Sequence, residues 1–171
     1  GTDAVMLSGE TAVGNHPIES VKIMRDILMN TEKEMCKNNT FNEISVEVDK
    51  DVRSAIGESV KLISKHLSIN AIVVMTESGN TAIIVSHYRP DTNVFALTPN
   101  KNICNKLSLV WGIYSILIPE YISTDKMIRG AQEILIKNKL LKYGNTFVLT
   151  AGVPVGLTGS TNMLKIHKVE K

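Results

Sequence analysis

The chain has 171 residues, 43% of them hydrophobic, which is long enough to bury the core of one ordinary domain and carry a short appendage. Its formal net charge is +2, from 19 basic and 17 acidic residues that are spread along the sequence. This balance excludes a charge argument for a nucleic-acid or membrane partner. No apolar run approaches the roughly 18 to 20 residues that span a bilayer, so we expect a cytoplasmic protein.

The two cysteines, Cys36 and Cys104, are far apart and have no pair of histidines nearby at metal-ligand spacing. We therefore expect reduced thiols, with no disulfide and no metal site. The sequence begins at Gly1 without an initiator methionine, on the approach to an apolar run. Such a beginning is expected of a piece of a longer polypeptide.

The first predicted elements are a strand and a helix. Residues 4–7 are an unbroken apolar run, a pattern typical of a strand buried on both faces. A helix is predicted to begin near Pro17, because proline costs no hydrogen bond at the first helical position, and Glu19 favours the positive end of the helix dipole. Residues 38–51 mix charges with single apolar residues and are predicted to form a linker.

From residue 52 onward the pattern alternates between helices and strands. Strands are predicted at five places: 71–75, 93–97, 113–118, 146–149 and 163–169. Helices are predicted at four: 52–67, 81–87, 101–109 and 124–135. Because strands joined by right-handed helical crossovers lie parallel, this order predicts a three-layer α/β domain with a mostly parallel sheet. The strand and helix before residue 38 would form a separate βα unit.

A polar loop follows the strand at 71–75, and it contains Thr76, Ser78, Gly79, Asn80 and Thr81. Ligands of open parallel sheets bind at the carboxyl ends of the strands, where free backbone N–H groups are available. These residues could bind a phosphate, or Ser78 or Asn80 could simply cap the following helix. Glu77 would repel a phosphate unless an amine, a sugar hydroxyl or a basic neighbour compensates for it.

A second loop follows the strand at 146–149 and is rich in glycine and hydroxyl residues: Gly156, Thr158, Gly159, Ser160 and Thr161. Parallel topology could bring it to the same edge of the sheet as the first loop. Two hydroxyl-rich loops at one edge favour a phosphorylated small molecule as the ligand.

Residues that could carry catalysis are few. Ser8 and Glu10 follow the first predicted strand, where barrel enzymes place functional groups. No histidine or lysine is placed to activate Ser8 as a nucleophile. The common phosphate-loop, dinucleotide and nucleophile-elbow motifs are missing. The sequence therefore shows no complete catalytic constellation.

Residues 1–12, followed by Gly14, Pro17 and Glu19, resemble the eighth strand, loop and helix of the pyruvate kinase barrel. The resemblance continues through residues 76–81, 88–90 and 151–162. The sequence of the last of these segments resembles that of bacterial members. It implies three parts: the end of the catalytic (β/α)8 barrel at 1–37, a linker at 38–51, and the regulatory and oligomerisation domain at 52–171. Pyruvate kinases are ATP-binding phosphotransferases of glycolysis that use magnesium and potassium.

The resemblance places the family's catalytic lysine, substrate arginine and metal ligands upstream of this chain. It implies that Ser8 and Glu10 at most support a water network, that the chain binds no metal, and that it is inactive alone. The allosteric effector loops map onto 76–81 and 156–161, and the parent enzyme is implied to be a homotetramer. The closing loop lacks the Trp-Arg pair of animal members, and bacterial effectors are more often monophosphates. A free-standing sensor or interaction module for phosphorylated metabolites is the alternative, although a sensor has no use for a barrel strand and helix.

Overall fold

The computed structural model describes residues 2–37, 51–155 and 161–171, without the side chain of Cys36. The described residues belong to two compact units, one before residue 38 and one after residue 50. None of the described helices combines the length and the apolar character needed to cross a bilayer.

The first unit contains two helices. Helix α1, Gly9–Ala12, is a single turn, and helix α2, Pro17–Lys37, begins at the predicted proline and runs for 21 residues. Residues 2–8 lie in neither a helix nor a strand, so the strand predicted at 4–7 is wrong. A strand needs a neighbour to accept and donate its backbone hydrogen bonds, and an apolar run does not supply one.

The second unit contains a five-stranded sheet: β1 Ala71–Met75, β2 Val94–Thr98, β3 Ile113–Leu117, β4 Thr146–Gly152 and β5 Thr161–Lys168. The strands lie in the order β3-β2-β1-β4-β5. Four of them are parallel, and β5 pairs antiparallel with β4. The predicted mostly parallel sheet is therefore confirmed, with β1 at its centre.

Four helices cover the sheet: α3 Val52–His66, α4 Asn80–His87, α5 Lys101–Leu107 and α6 Thr124–Lys137. Alternate residues of β1 point into two hydrophobic clusters, because side chains of a strand alternate between faces. Val73 packs in the cluster that holds Leu135 of α6. Ile72 packs in the cluster that holds residues of the other three helices, including Val60 and Leu107. The unit has the predicted three layers, and every residue of β1 is buried.

Polar side chains mark where most of these helices begin. The carboxylate of Asp51 accepts a hydrogen bond from the backbone N–H of Ser54 at 2.8 Å, and Asn100 caps α5 in the same way. Each bond satisfies a backbone donor that has no partner within the helix. Asp51 is therefore the N-cap residue of α3.

Candidate functional site

A pocket lies at the carboxyl edge of the sheet of the second unit. Its walls come from the residues that follow β1, β2, β3 and β4, from the start of β5, and from α3 and α6. The empty space within it is about 810 Å³, including the part that is open to solvent. Open α/β sheets bind their small-molecule ligands at this edge.

The pocket has an apolar floor and a polar rim. Four buried apolar side chains form what we call the floor: Met75 of β1, Leu97 of β2, Met127 of α6 and Ile118, which follows β3. The rim includes Thr76, Ser78, Asn80, Thr81 and Thr161. These five are predicted ligand-binding residues that line the pocket, whereas Gly156, Thr158, Gly159 and Ser160 lie outside the described residues.

The loop after β1 is shaped by Thr76 and Gly79. The buried Thr76 hydroxyl accepts a hydrogen bond from the backbone N–H of Gly79 at 2.9 Å, which leaves its own proton for another acceptor. Gly79 has a φ of 86°, a left-handed conformation that glycine adopts at least cost. A Cβ here would lie 3.2 Å from Ile103 and 3.3 Å from Leu107. The backbone conformation therefore favours glycine, and a Cβ would crowd these two side chains.

The start of α4 does not follow the capping alternative. Its N-cap residue is Gly79, and no side chain makes a capping hydrogen bond there. The Ser78 hydroxyl accepts only a long bond, 3.5 Å, from the backbone N–H of Asn80. Ser78 is therefore the loop hydroxyl with the weakest partner, whereas the hydroxyl of Thr76 bonds to the backbone N–H of Gly79.

The two predicted loops meet through a pair of threonines. The hydroxyl oxygens of Thr81 and Thr161 lie 2.5 Å apart, although the two residues are 80 positions apart in the sequence. Both side chains are buried beside the pocket. Because one hydroxyl donates to the other, the accepting hydroxyl keeps its own proton for a further partner. The predicted convergence of the loops is present at this contact.

Three charged residues line the described part of the pocket, and the sequence predicts only one of them, Glu77. Glu120 follows the end of β3, so its place at the sheet edge could have been inferred from the predicted strand. Arg53 comes from the first turn of α3, and no pattern in the sequence indicates that it reaches the pocket. Its Nε donates to Asp51 at 2.8 Å, and its Nη2 lies 2.7 Å from the same carboxylate oxygen.

Tyr121 forms a further part of the wall. Burial raises the pKa of its phenol, with Glu133 adding to the shift, so the group is neutral at physiological pH. Its hydroxyl lies against the backbone of Gly130, where any Cβ would collide with the ring and the oxygen. Gly130 thereby allows Tyr121 to close this side of the pocket.

Ser8 and Glu10 lie in the first unit, at the start of α1. A carboxylate oxygen of Glu10 accepts a hydrogen bond from the backbone N–H of Ser8 at 3.1 Å. Hydrogen bonds from the backbone N–H groups of Glu10 itself and of Ser8 lower the pKa of Glu10. This is the geometry of a helix start. Within the described ranges no group of three or more His, Cys, Asp or Glu residues could hold a metal ion.

Comparisons with known proteins find similarity to pyruvate kinases. Residues 54–167 match the family "Pyruvate kinase, alpha/beta domain". The pyruvate kinase of Geobacillus stearothermophilus is 42% identical over 169 residues, which are 99% of this chain and 29% of that protein. The pyruvate kinase of Staphylococcus aureus strain USA300 is 40% identical with the same coverage.

A crystal structure of a pyruvate kinase from Cryptosporidium parvum superimposes with a TM-score of 0.84 and 27% identity. The superposition covers 99% of this chain and 33% of that one. The chain thus spans less than a third of the length of the curated relatives that it matches.

Proposed function

The chain belongs to the pyruvate kinase family, as its motifs predicted, and from that premise we propose that it is the regulatory C-terminal portion of a pyruvate kinase. The whole enzyme would transfer a phosphoryl group from phosphoenolpyruvate to ADP, giving pyruvate and ATP in glycolysis. Residues 1–37 would be the end of the catalytic barrel, 38–51 a linker, and 52–171 the regulatory domain. Exposed apolar residues on α2 support the first assignment, since a barrel helix packs on neighbours.

The role we propose for the second unit is to bind a phosphorylated effector in the pocket at the carboxyl edge of its sheet. The observation that carries this proposal is the contact between Thr81 and Thr161, which joins the two hydroxyl-rich loops beside an open pocket. The hydroxyls of Thr76 and Ser78 line the same rim. Several hydroxyl donors at one end of an apolar pocket suit a phosphate ester whose remaining part lies on the floor.

The chain on its own is proposed to be catalytically inactive. Phosphoryl transfer depends on placed cations and on precise positioning of the substrates. The described residues offer no carboxylate cluster that fits magnesium, so we derive no catalytic step from them. The family resemblance assigns the magnesium and potassium ligands to a part of the enzyme that precedes this chain.

Self-association is a further part of the proposal, because the parent enzyme is expected to be a homotetramer. Strands β3 and β5 form the two edges of the sheet, and β5 carries the exposed apolar residue Ile166. An unpaired strand edge can add a strand from another copy. Analytical ultracentrifugation of the chain and of Ile166→Lys would test this: we expect a dimer or larger species that the substitution weakens, and a monomer at all concentrations would contradict it.

Thermal unfolding with a panel of ligands tests the effector site, because a ligand that binds only the native state must stabilise it. The panel is ribose 5-phosphate, AMP, glucose 6-phosphate, fructose 1,6-bisphosphate and inorganic phosphate. At a ligand concentration of 100 Kd the stabilisation is about 2.7 kcal/mol, which corresponds to an increase of several degrees in Tm.

Two variants locate the binding. Thr76→Val removes a hydroxyl of the rim, and Ser78→Ala removes another whose only hydrogen bond is long, so the second variant disturbs the loop least. We expect both to reduce the shift, and the control Ser68→Ala, an exposed serine outside the pocket, to leave it unchanged. No shift with any ligand, or an equal shift in every variant, would contradict an effector site here.

A further inference from the structure

The pocket poses a problem of charge for any phosphorylated ligand. A phosphate monoester carries a charge of about −1.5 to −2 at pH 7, and two carboxylates, Glu77 and Glu120, line the described part of the pocket. The loop at 76–81 contains no basic residue, and neither do residues 156–160 of the second loop. Hydroxyl groups donate hydrogen bonds but carry no charge to offset this repulsion.

Arg53 is the one basic side chain among the described residues that line the pocket. It comes from α3, an element distinct from both predicted loops. Its side chain is 35% exposed, so a ligand in the pocket can reach it. The two bonds to Asp51 go to a single carboxylate oxygen and use two of the five guanidinium N–H groups. The other N–H groups are available to a phosphate, whose oxygens guanidinium recognises in a fork.

Asp51 holds this arginine in place while it also begins the helix. One of its carboxylate oxygens accepts from the backbone N–H of Ser54, and the other binds Arg53. Hydrogen bonds from Ser54 and then from Arg53 lower the pKa of Asp51 to about 2, so the carboxylate is ionised at neutral pH. Asp51 is a positioning residue, because both of its contacts with Arg53 hold the guanidinium beside the start of α3.

We propose that Arg53 is the residue that contacts the anionic group of the ligand in this pocket, and that it supplies the cationic hydrogen-bond donor missing from both loops. The inference rests on the proposed effector site. It answers the question raised by Glu77, since the compensating basic neighbour comes from the start of α3. A ligand phosphate bound by the rim hydroxyls and by Arg53 at once would also connect the pocket to the first turn of that helix.

Isothermal titration of the chain with ribose 5-phosphate at low and high salt tests the inference. We expect Arg53→Gln to raise Kd about tenfold, because hydrogen bonds to charged groups contribute at least this factor. Arg53→Lys keeps the charge and loses the fork, so it should recover part of the affinity. The matched control is Arg129→Gln, which removes the same charge from an exposed position on α6 outside the pocket and should leave Kd unchanged.

The salt dependence separates an electrostatic role from a structural one. Binding to the unaltered chain should weaken as salt increases, and the dependence should be shallower in Arg53→Gln, because screening acts on the charge that was removed. If Arg53→Gln binds as tightly as the unaltered chain while Ser78→Ala binds more weakly, Arg53 has no such role and the effector site stands. If the unaltered chain binds none of the five compounds of the thermal-unfolding panel, both proposals fall.

Discussion

The two units contain similar apolar residues and use them differently. Helix α2 is the longest helix described, yet none of the side chains described between residues 2 and 37 is buried. Strands β1 and β2 are buried along their whole length. A sheet covered on both faces by helices creates an interior within one unit, whereas two helices of unequal length do not. The first unit thus carries apolar residues without a core of its own.

This difference indicates where each unit obtains its stability. The second unit has two hydrophobic clusters, one on each face of the sheet, and its folding is expected to be cooperative. Exposed apolar residues on α2, such as Ile23, Ile27 and Met29, contribute little to stability until something covers them. In the proposed parent enzyme, the rest of the barrel would provide that cover.

The largest expected effect is on the free energy of unfolding of the second unit. It is tested by replacing one leucine of each unit with alanine. Leu135 of α6 is fully buried, and Leu28 of α2 is 39% exposed. We expect Leu135→Ala to lower the free energy of unfolding of the second unit by about 2 to 5 kcal/mol, because it removes buried surface and leaves a cavity. Leu28→Ala should change it by less than about 0.5 kcal/mol.

The single tryptophan, Trp111, lies in the second unit, so its fluorescence during urea unfolding reports on that unit alone. Circular dichroism of the same samples would follow α2 as well. Equal destabilisation by the two leucine substitutions would contradict the difference between the units, because it would mean that the stability of the second unit depends on α2.

A smaller loss of stability is expected when a glycine beside the pocket is replaced by alanine. Its size shows whether the tight packing of the second unit extends to the pocket. Gly79 and Gly144 have the same φ of 86°, but a Cβ would meet other side chains only at Gly79. Alanine in this conformation costs roughly 1 to 2 kcal/mol at either position. Gly79→Ala should cost more than Gly144→Ala, because Ile103 and Leu107 must also move.

Thermal unfolding of the two glycine variants measures this difference directly. We also expect Gly79→Ala to reduce ligand stabilisation, since the backbone N–H of Gly79 binds Thr76 at the pocket rim. Equal Tm values for the two variants would show that the loop yields to an added methyl group, and that the packing around it is looser than the distances indicate.

Much of the second unit could be predicted from the sequence, because its signals are local. The strand at 71–75 is found at the predicted residues, since a run of five apolar residues between polar loops has few alternatives. The described residues that follow β1 and β4 could be placed at one edge because parallel strands all end there. The spacing of apolar residues and the residue types that form turns are properties of short segments, so a single sequence shows them.

What the sequence could not show depends on contacts between distant segments. Residues 4–7 have the composition of a buried strand but no described partner, so the same local signal gives the wrong result there. Arg53 reaches the pocket through the packing of α3, and its spacing carries no sign of this.

The smallest expected effect is on the pH dependence of stability. It compares one carboxylate of the first unit with one of the second. Glu10 and Asp51 both have a lowered pKa because they accept backbone hydrogen bonds at a helix start. A carboxylate whose pKa is lower in the native than in the unfolded state stabilises the fold above its unfolded pKa, about 3.9. That contribution is lost as the pH falls toward the native pKa, which is about 2 for Asp51.

We therefore expect the stability of the second unit, followed through Trp111 from pH 5 to pH 2, to fall less steeply in Asp51→Asn than in the unaltered chain. Asparagine caps a helix about as well as aspartate, so the substitution removes the titration and keeps the cap. Glu10→Gln, which changes the first unit, should leave the pH dependence of the stability of the second unit unchanged. A parallel decline in Asp51→Asn and the unaltered chain would mean that Asp51 contributes nothing through its charge, and that Arg53 is held by packing instead.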